Sequence, residues 1–521
     1  MNASDFLPVE LNVASWFVDR PVAEGRGAAP AFHCADRVLT YTDLRELVDR
    51  TGNALRELGV EMEQRVVMIC LDTPEFLGTF WGAIKIGAVP VPVNTLLRAP
   101  DYRYVLDDSR ARVAVVSAPL LPEVAPALQG APHLRHVLVA GGAPGPHLSF
   151  EDRVARAPAR LEAAATSRDD VAFWLYSSGS TGRPKGAVHL HHDMVVAAET
   201  YGKQVLGIQP TDKVYSAAKL FFAYGLGNAG YFPMSVGAQS VLYPGRPTPD
   251  VVFDVIARHR PTIFFGVPTL YAAMLAAKEG ERPLDLSSLR LCVSAGEALP
   301  ADLYRRWRGR FGVEVIDGIG TTESGHIFLS NRPGAVRPGS SGVPVPGYEC
   351  AIVDDEGRPA APGEIGNLRV RGDSTMAYYW NQHDKTKATL FGPWILTGDK
   401  YHQDPEGYFW YDGRGDDMLK VGGIWVSPIE VEATLIQHDA VLEAAVVGQE
   451  DADRLVKPRA YVVLKEPGRA SDGLAEELRA FVKDKIAPYK YPRWIEFVTE
   501  LPKTATGKIQ RFKLRQERAA G

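Results

Sequence analysis

Residues 176 to 186 read Tyr-Ser-Ser-Gly-Ser-Thr-Gly-Arg-Pro-Lys-Gly, with an apolar run, VAFWL, leading in. This composition suits the holding of phosphates. Gly179 and Gly182 let the backbone come close to an anion and adopt positive φ. The hydroxyls of Ser177, Ser178, Ser180 and Thr181 can donate hydrogen bonds, and Lys185 adds a mobile point charge. A nucleoside triphosphate is the natural guest. The spacing departs from the P-loop pattern, in which a lysine follows a glycine and a hydroxyl follows the lysine; here Pro184 precedes Lys185 and Gly186 follows it. A flexible Ser/Gly surface loop is the plainer alternative, but linkers rarely end such a run in Pro-Lys-Gly.

Further along stand other groups able to handle a nucleotide. GIGTTES at 318–324 follows a strand-like VEVID, and SAGEAL at 294–299 has the make-up of a tight turn opening a helix. WILTGDKY at 394–401 brings Asp399 to the end of a strand, with Arg414 in the next segment. A carboxylate accepts hydrogen bonds from vicinal diols and a guanidinium donates them, so the pair can grip a ribose. Near the C-terminus, LPKTATGKIQR at 501–511 carries Lys508, which out of context is a solvated surface charge. There is no G-x-S-x-G elbow, no H-E-x-x-H and no Cys/His ligand spacing. His189, His191 and His192 read as the start of a helix after the phosphate loop.

In this order the motifs resemble those of the adenylate-forming superfamily: acyl- and aryl-CoA synthetases, adenylation domains of peptide synthetases, and luciferases. The resemblance implies ATP, Mg²⁺ and coenzyme A. Ser177, Ser178, Gly179, Ser180, Thr181, Gly182 and Lys185 then cradle the phosphates. Thr322 bonds a phosphate oxygen, and Glu323 holds the magnesium through a hard carboxylate oxygen. Gly296, Glu297 and Ala298 line the base, Asp317 and Gly318 belong to the same ATP site, and Asp399 and Arg414 hold the ribose. Ile319 replaces a tyrosine frequent in the family, so a stacking face for adenine is missing there. Asp416 is the implied hinge, and Lys420, Gly422 and Gly423 the loop that enters the cleft for thioester formation. Lys508 is the implied adenylation lysine, catalytic together with Thr322 and Glu323.

Two segments narrow the substrate. KLFFAYGLGN at 219–228 and GHIFLSN at 325–331 resemble those of benzoate-CoA ligases and their 2-aminobenzoate relatives, and the likeness spans nearly the whole chain. Phe222, Ala223, Tyr224 and Gly225 are expected to form one flat wall, with Gly320, His326 and Ile327 on the opposite side, although Phe221 and Phe222 could equally be core. Small Ser324 and Gly325 suggest room for a ring substituent, and His326 an ortho-amino partner, favouring 2-aminobenzoate slightly over benzoate. The implied activity is an aryl-CoA ligase that forms aryl-AMP and then the thioester. Alternatives are an enzyme loading the phosphopantetheine of an acyl carrier protein, a catalytically dead nucleotide-binding regulator and, with little support, a luciferase-like oxidation. A dimer is common in such enzymes.

The elements that must position these residues follow from pattern and composition. At 521 residues the chain exceeds what one core organises. Short apolar runs at 65–71, 88–94, 112–118, 262–267 and 289–294, several followed by helix-length segments, predict an α/β fold of parallel-type sheets covered by helices. Leu44, Leu47, Val48, Leu55 and Leu58 fall at helical spacing, with Asp43 and Glu46 at the favourable end of the dipole. After DGRGDDMLKVGG at 412–423 the grammar shifts to a small α+β unit. The expected division is therefore 1–415, binding ATP and the aryl acid, and 416–521, a mobile C-terminal domain. A net charge of −5 without blocks of like charge argues against nucleic-acid or membrane surfaces. Cys34, Cys70, Cys292 and Cys350 have no paired spacing and suit a reducing cytoplasm, and no run of about 18 apolar residues appears.

Overall fold

The computed structural model describes residues 5–177, 184–277, 284–415, 417–421, 424–451, 455–486, 490–503 and 509–516. Its largest element is a nine-stranded sheet in the order 343–344, 327–330, 315–320, 291–294, 263–266, 213–216, 239–242, 30–34, 37–40. Neighbours from Pro30–Cys34 across to Val315–Gly320 are parallel, with one antiparallel strand, 37–40, at one end and two, 327–330 and 343–344, at the other. The sequence explains the alternation. IFFG and LCVS are fully buried strands, and the helices Pro249–His259 and Pro268–Ala276 each open on a proline, whose missing N–H costs nothing in the first turn.

A second, five-stranded parallel sheet runs 89–92, 65–69, 113–117, 136–140, 148–149. Helix Tyr41–Glu57 starts where the leucine spacing places it; Asp43 does more than face the dipole, since it forms a reciprocal capping box with Thr40.

Between the two sheets lies a three-stranded antiparallel ribbon, 378–379, 185–190 and 171–177. Strand alternation gives it two distinct faces. Phe173, Leu175, Ala187 and Tyr379 join the main core, whereas Trp174, Tyr176, Val188 and Trp380 pack on the second sheet, with the two indole rings 4.5 Å apart. His189 closes the strand Lys185–Leu190, and the helix begins at His191, so only the latter two histidines of the trio belong to the helical segment.

Residues 349–414 depart from the parallel pattern. They build an antiparallel sheet from 349–353, 366–371, 390–391, 394–403 and 409–414. Beyond it, strands 441–450, 456–464 and 494–497 with helices Pro428–Ile436 and Asp472–Lys485 enclose a separate cluster around Val446, Val462 and Leu478. The fold is thus a large N-terminal domain with a small C-terminal one. Asp416, the expected hinge, lies outside the described residues. Among the described residues no helix is long and apolar enough to cross a membrane.

Candidate active site

The strand Val171–Ser177 delivers Ser177 to the start of the phosphate-loop segment, and the return strand begins with Lys185 on the same face. Ser178, Gly179, Ser180, Thr181 and Gly182 lie outside the described residues. Opposite this ribbon, the strand Val315–Gly320 runs into a single helical turn, Thr322–Ser324, capped by the Thr321 hydroxyl. The turn aims Glu323 back at the ribbon. Its Oε1 accepts hydrogen bonds from Ser177 Oγ at 2.9 Å and from the Tyr379 hydroxyl at 2.6 Å. Lys185 Nζ donates to the Tyr379 oxygen at 3.1 Å and stands 3.9 Å from Glu323 Oε1.

These contacts set the charge of the site. Burial opposes ionisation of Glu323, but the Tyr379 hydroxyl, the Lys185 ammonium, a backbone N–H and the Ser177 hydroxyl together hold its carboxyl below the usual range. Burial also lowers the pKa of Lys185, partly offset by Glu323. Tyr379 was not singled out in the sequence: AYYW carries no chemical signature, and only pairing of Tyr379 with Ala187 brings its hydroxyl here. Tyr379→Phe removes a charge-assisted donor, and a loss of about tenfold in pyrophosphate release is expected. Because the phenol helps depress the Glu323 pKa, the acid limb of the pH–rate profile should move to higher pH in that variant.

The donor set around Glu323 also bears on magnesium. Among the described residues no group of three His, Cys, Asp or Glu side chains could hold a metal by itself. One ionised carboxylate beside the Ser177 and Lys185 side chains fits Mg²⁺, which is commonly held by one or two carboxylates plus substrate phosphates and water.

Asp399 and Arg414 sit opposite each other on neighbouring antiparallel strands, with Arg414 Nη1 donating to Asp399 Oδ1 at 3.0 Å. Gly296 takes φ +93° in the turn after strand Leu291–Ser294, and residues 296–298 are the more open part of that turn. Asp317 is only 4% exposed; its Oδ2 accepts from Leu299 N at 3.3 Å and so braces the turn from below. Burial pushes its carboxyl up to about 8, which keeps it neutral at pH 7. Gly318 lies on the same strand, where a Cβ would come within 2.6 Å of the Leu329 carbonyl. Lys420 belongs to the strand Leu419–Val421, whereas Gly422, Gly423 and Lys508 lie outside the described residues.

The segment expected to wall the acid pocket folds as predicted only in part. Phe222, Ala223 and Tyr224 are half-buried and Gly225 is buried, its missing Cβ leaving room for the Lys219 carbonyl, which would otherwise be 2.1 Å away. Phe221 is core. His326 does not stand across a slot from Tyr224. Its ring centroid lies 5.7 Å from that of Tyr224, and its Nε2 is 3.2 Å from the Tyr224 carbonyl and 3.1 Å from Asn228 Oδ1. Rings at that distance are already in contact, so no substrate ring fits between them, and the two residues make one continuous wall. Gly320 adjoins it, where a Cβ would meet the His326 carbonyl at 2.4 Å, and Ile327 is buried beside it.

Residues 20–380 match the AMP-binding enzyme family and residues 430–508 the AMP-binding enzyme C-terminal domain. The chain belongs to the AMP-binding enzyme family. A benzoate–CoA ligase of Thauera aromatica is 54% identical over 98% of this chain and 96% of its own length. Among solved structures, the anthranilate CoA ligase AuaEII in complex with anthranoyl-AMP superposes with a TM-score of 0.95 at 48% identity, covering 100% of this chain and 99% of that one. A benzoate CoA ligase from Burkholderia xenovorans LB400 gives 0.90 at 49%, covering 97% and 100%. Members of the AMP-binding family thus provide the frame in which the Ser177–Lys185–Glu323–Tyr379 group is to be understood.

Proposed function

We infer that the chain is an ATP-dependent aromatic acid–CoA ligase. The observation that carries this reading is the single hydrogen-bonded group of Ser177, Lys185, Tyr379 and Glu323, joined by one turn of chain to the His326–Tyr224 wall. In the first half-reaction a carboxylate oxygen attacks the α-phosphorus of ATP, the bond to the bridging oxygen breaks, and pyrophosphate leaves with aryl-AMP formed. In the second, the CoA sulfur bonds the acyl carbon, AMP departs with the bonding electrons, and the thiol proton passes to solvent. Lys185 and the Ser177 hydroxyl meet the phosphates. Glu323 would hold Mg²⁺, which neutralises charge on the triphosphate. Asp399 and Arg414 receive the ribose, and Gly296 to Ala298 the base.

We further propose that the boundary between domains lies at Asp416, about which the small domain turns so that Lys508 serves adenylation and the Lys420–Gly423 segment serves thioester formation. One cleft cannot hold both at once. The enzyme works in the cytosol, where ATP and free CoA thiol are both at hand.

The substrate follows from His326. A carbonyl can only accept, so the hydrogen bond to Tyr224 O places the ring hydrogen on Nε2. Burial pushes the imidazole pKa down to about 3, so at neutral pH Nδ1 carries a bare lone pair; it is buried and has no hydrogen-bond partner. Such an acceptor suits an ortho donor on the substrate ring, and 2-aminobenzoate supplies one where benzoate does not. The preference is bounded at about 10- to 200-fold, so both acids react. Incubation of enzyme, ATP, CoA and each acid, followed by mass detection of the thioester, tests the activity. A kcat/KM for benzoate above that for 2-aminobenzoate by about tenfold removes the ortho-donor reading; no aryl-CoA from either acid removes the function.

A further inference from the structure

We propose that His189, held by Asp193, is a positioning residue for adenylation: it fixes the turn that carries Thr322 and Glu323 by hydrogen-bonding the Thr322 carbonyl. The inference rests on the reading that this turn faces the triphosphate.

His189 lies on the same ribbon face as Lys185, four residues further along the strand. Its Nδ1 is 2.7 Å from Asp193 Oδ2 and its Nε2 is 2.8 Å from the Thr322 carbonyl oxygen. The ring also stacks on Phe173 with centroids 4.9 Å apart and planes 13° from parallel. Both side chains are essentially sealed from solvent, at 0% and 2% exposure. A carbonyl only accepts, so Nε2 donates to Thr322, while Nδ1 is tied to the Asp193 carboxyl at the other edge of the ring. Asp193 is in turn fixed by accepting from Leu190 N at 3.2 Å. The imidazole is thus a rigid two-ended strut with its rotation blocked by Phe173.

The turn it holds needs such support. Residues 322 to 324 make only one helical turn, closed by Gly325 N on the Thr322 carbonyl at 3.2 Å, and each of their carbonyls is also held by a more distant group: Thr322 by His189, Glu323 by Met376 N at 2.7 Å, and Ser324 by Ser374 Oγ at 2.6 Å. Gly325, at φ +75°, turns the chain away immediately beyond and lets Ser374 and His189 approach; a Cβ there would lie 3.2 Å from the Ser374 carbonyl. Among these three supports His189 is the side chain anchored by a carboxylate, and it bonds the residue directly before Glu323.

The test uses the whole enzyme. His189→Leu combined with Asp193→Asn removes the strut together with its carboxyl anchor and keeps an acceptor for the Leu190 N–H. His189→Gln is the second variant should the first not fold. Displacing reacting groups by about an ångström costs up to about 10²-fold, so aryl-AMP formation should fall about 10- to 100-fold. Conversion of supplied aryl-AMP and CoA to thioester, which involves no triphosphate, should stay within about threefold. A second readout is calorimetric: a non-hydrolysable ATP analogue should lose the part of its affinity that Mg²⁺ adds, while its Mg²⁺-free binding is retained. Adenylation within about twofold of the parent, or an equal fall in both half-reactions, overturns the proposal. Glu323→Gln is the control. If it leaves adenylation intact, the underlying reading of the turn fails; if it impairs adenylation while the His189 variants do not, only the strut fails.

Discussion

Lys508→Ala should lower pyrophosphate release from ATP and aromatic acid by about 10²- to 10³-fold, the cost typical of removing one group that stabilises developing transition-state charge. The physical basis is repulsion between two anions, the carboxylate and the α-phosphate, which must come into bonding distance while charge spreads over a pentacoordinate phosphorus. Lys185 is engaged with Tyr379 and Glu323, and on the proposed reading it serves the triphosphate while Lys508 brings a second cation to the α-phosphorus. Conversion of supplied aryl-AMP with CoA should continue in the variant. Equal loss of both half-reactions in a stopped-time assay of each would contradict the division of labour between Lys508 and the Lys420–Gly423 segment.

The second large effect concerns Arg511, three residues beyond Lys508 in the chain. Its guanidinium makes three hydrogen bonds to Glu432, at 3.2, 2.9 and 2.7 Å, and lies 3.7 Å from Asp417, which also receives Arg515 at 2.6 Å. Glu432 is 5% exposed. Arg511→Met therefore strands a buried carboxylate, and breaking one side of such a pair costs about 3–5 kcal/mol, measurable as a lowered denaturant midpoint for the small domain. Burial raises the Glu432 pKa even with Arg511 present, so in the variant the carboxyl must be higher still. A group with a raised folded-state pKa favours folding below its unfolded pKa and loses that contribution as pH climbs through the folded value. The variant's deficit should accordingly shrink toward acid pH and widen toward neutrality. A deficit that grows on acidification would show that Glu432 is not the group left unpaired.

Sequence and structure agree best where a residue's own chemistry announces it. The buried β-branched strands and the proline-initiated helices depend on local preference, and both are legible over a few residues. Asp399 and Arg414, expected together at the ribose, do lie side by side, joined by a hydrogen bond between them. Tyr379 and His189 were not legible in their roles. Each belongs to a segment with an ordinary explanation, an aromatic run and a helix start, and each acquires its role only through antiparallel register with a strand far away or adjacent to it. His326 joins Tyr224 and not the opposite side expected for it: spacing along the chain carries no information about which wall a residue joins once a loop doubles back on a neighbouring helical segment. The antiparallel sheet of 349–414 was only partly foreseen for a similar reason, since alternating strands of mixed polarity give a weaker signal than a continuous apolar run.

The two-faced ribbon has a consequence for how such a catalyst can be retooled. The groups proposed to greet the nucleotide, Ser177 and Lys185, are rooted in a strand pair whose reverse side is bolted to the second sheet through Trp174 and Trp380. The residues proposed to judge the acid, from Phe222 to Tyr224 and from Gly320 to Ile327, hang instead from the nine-stranded sheet and its helical excursions. New acids can then be accommodated by redrawing one scaffold while the other keeps its grip on ATP. Only the short turn bearing Thr322 and Glu323 belongs to both, and variation there should be the least forgiving.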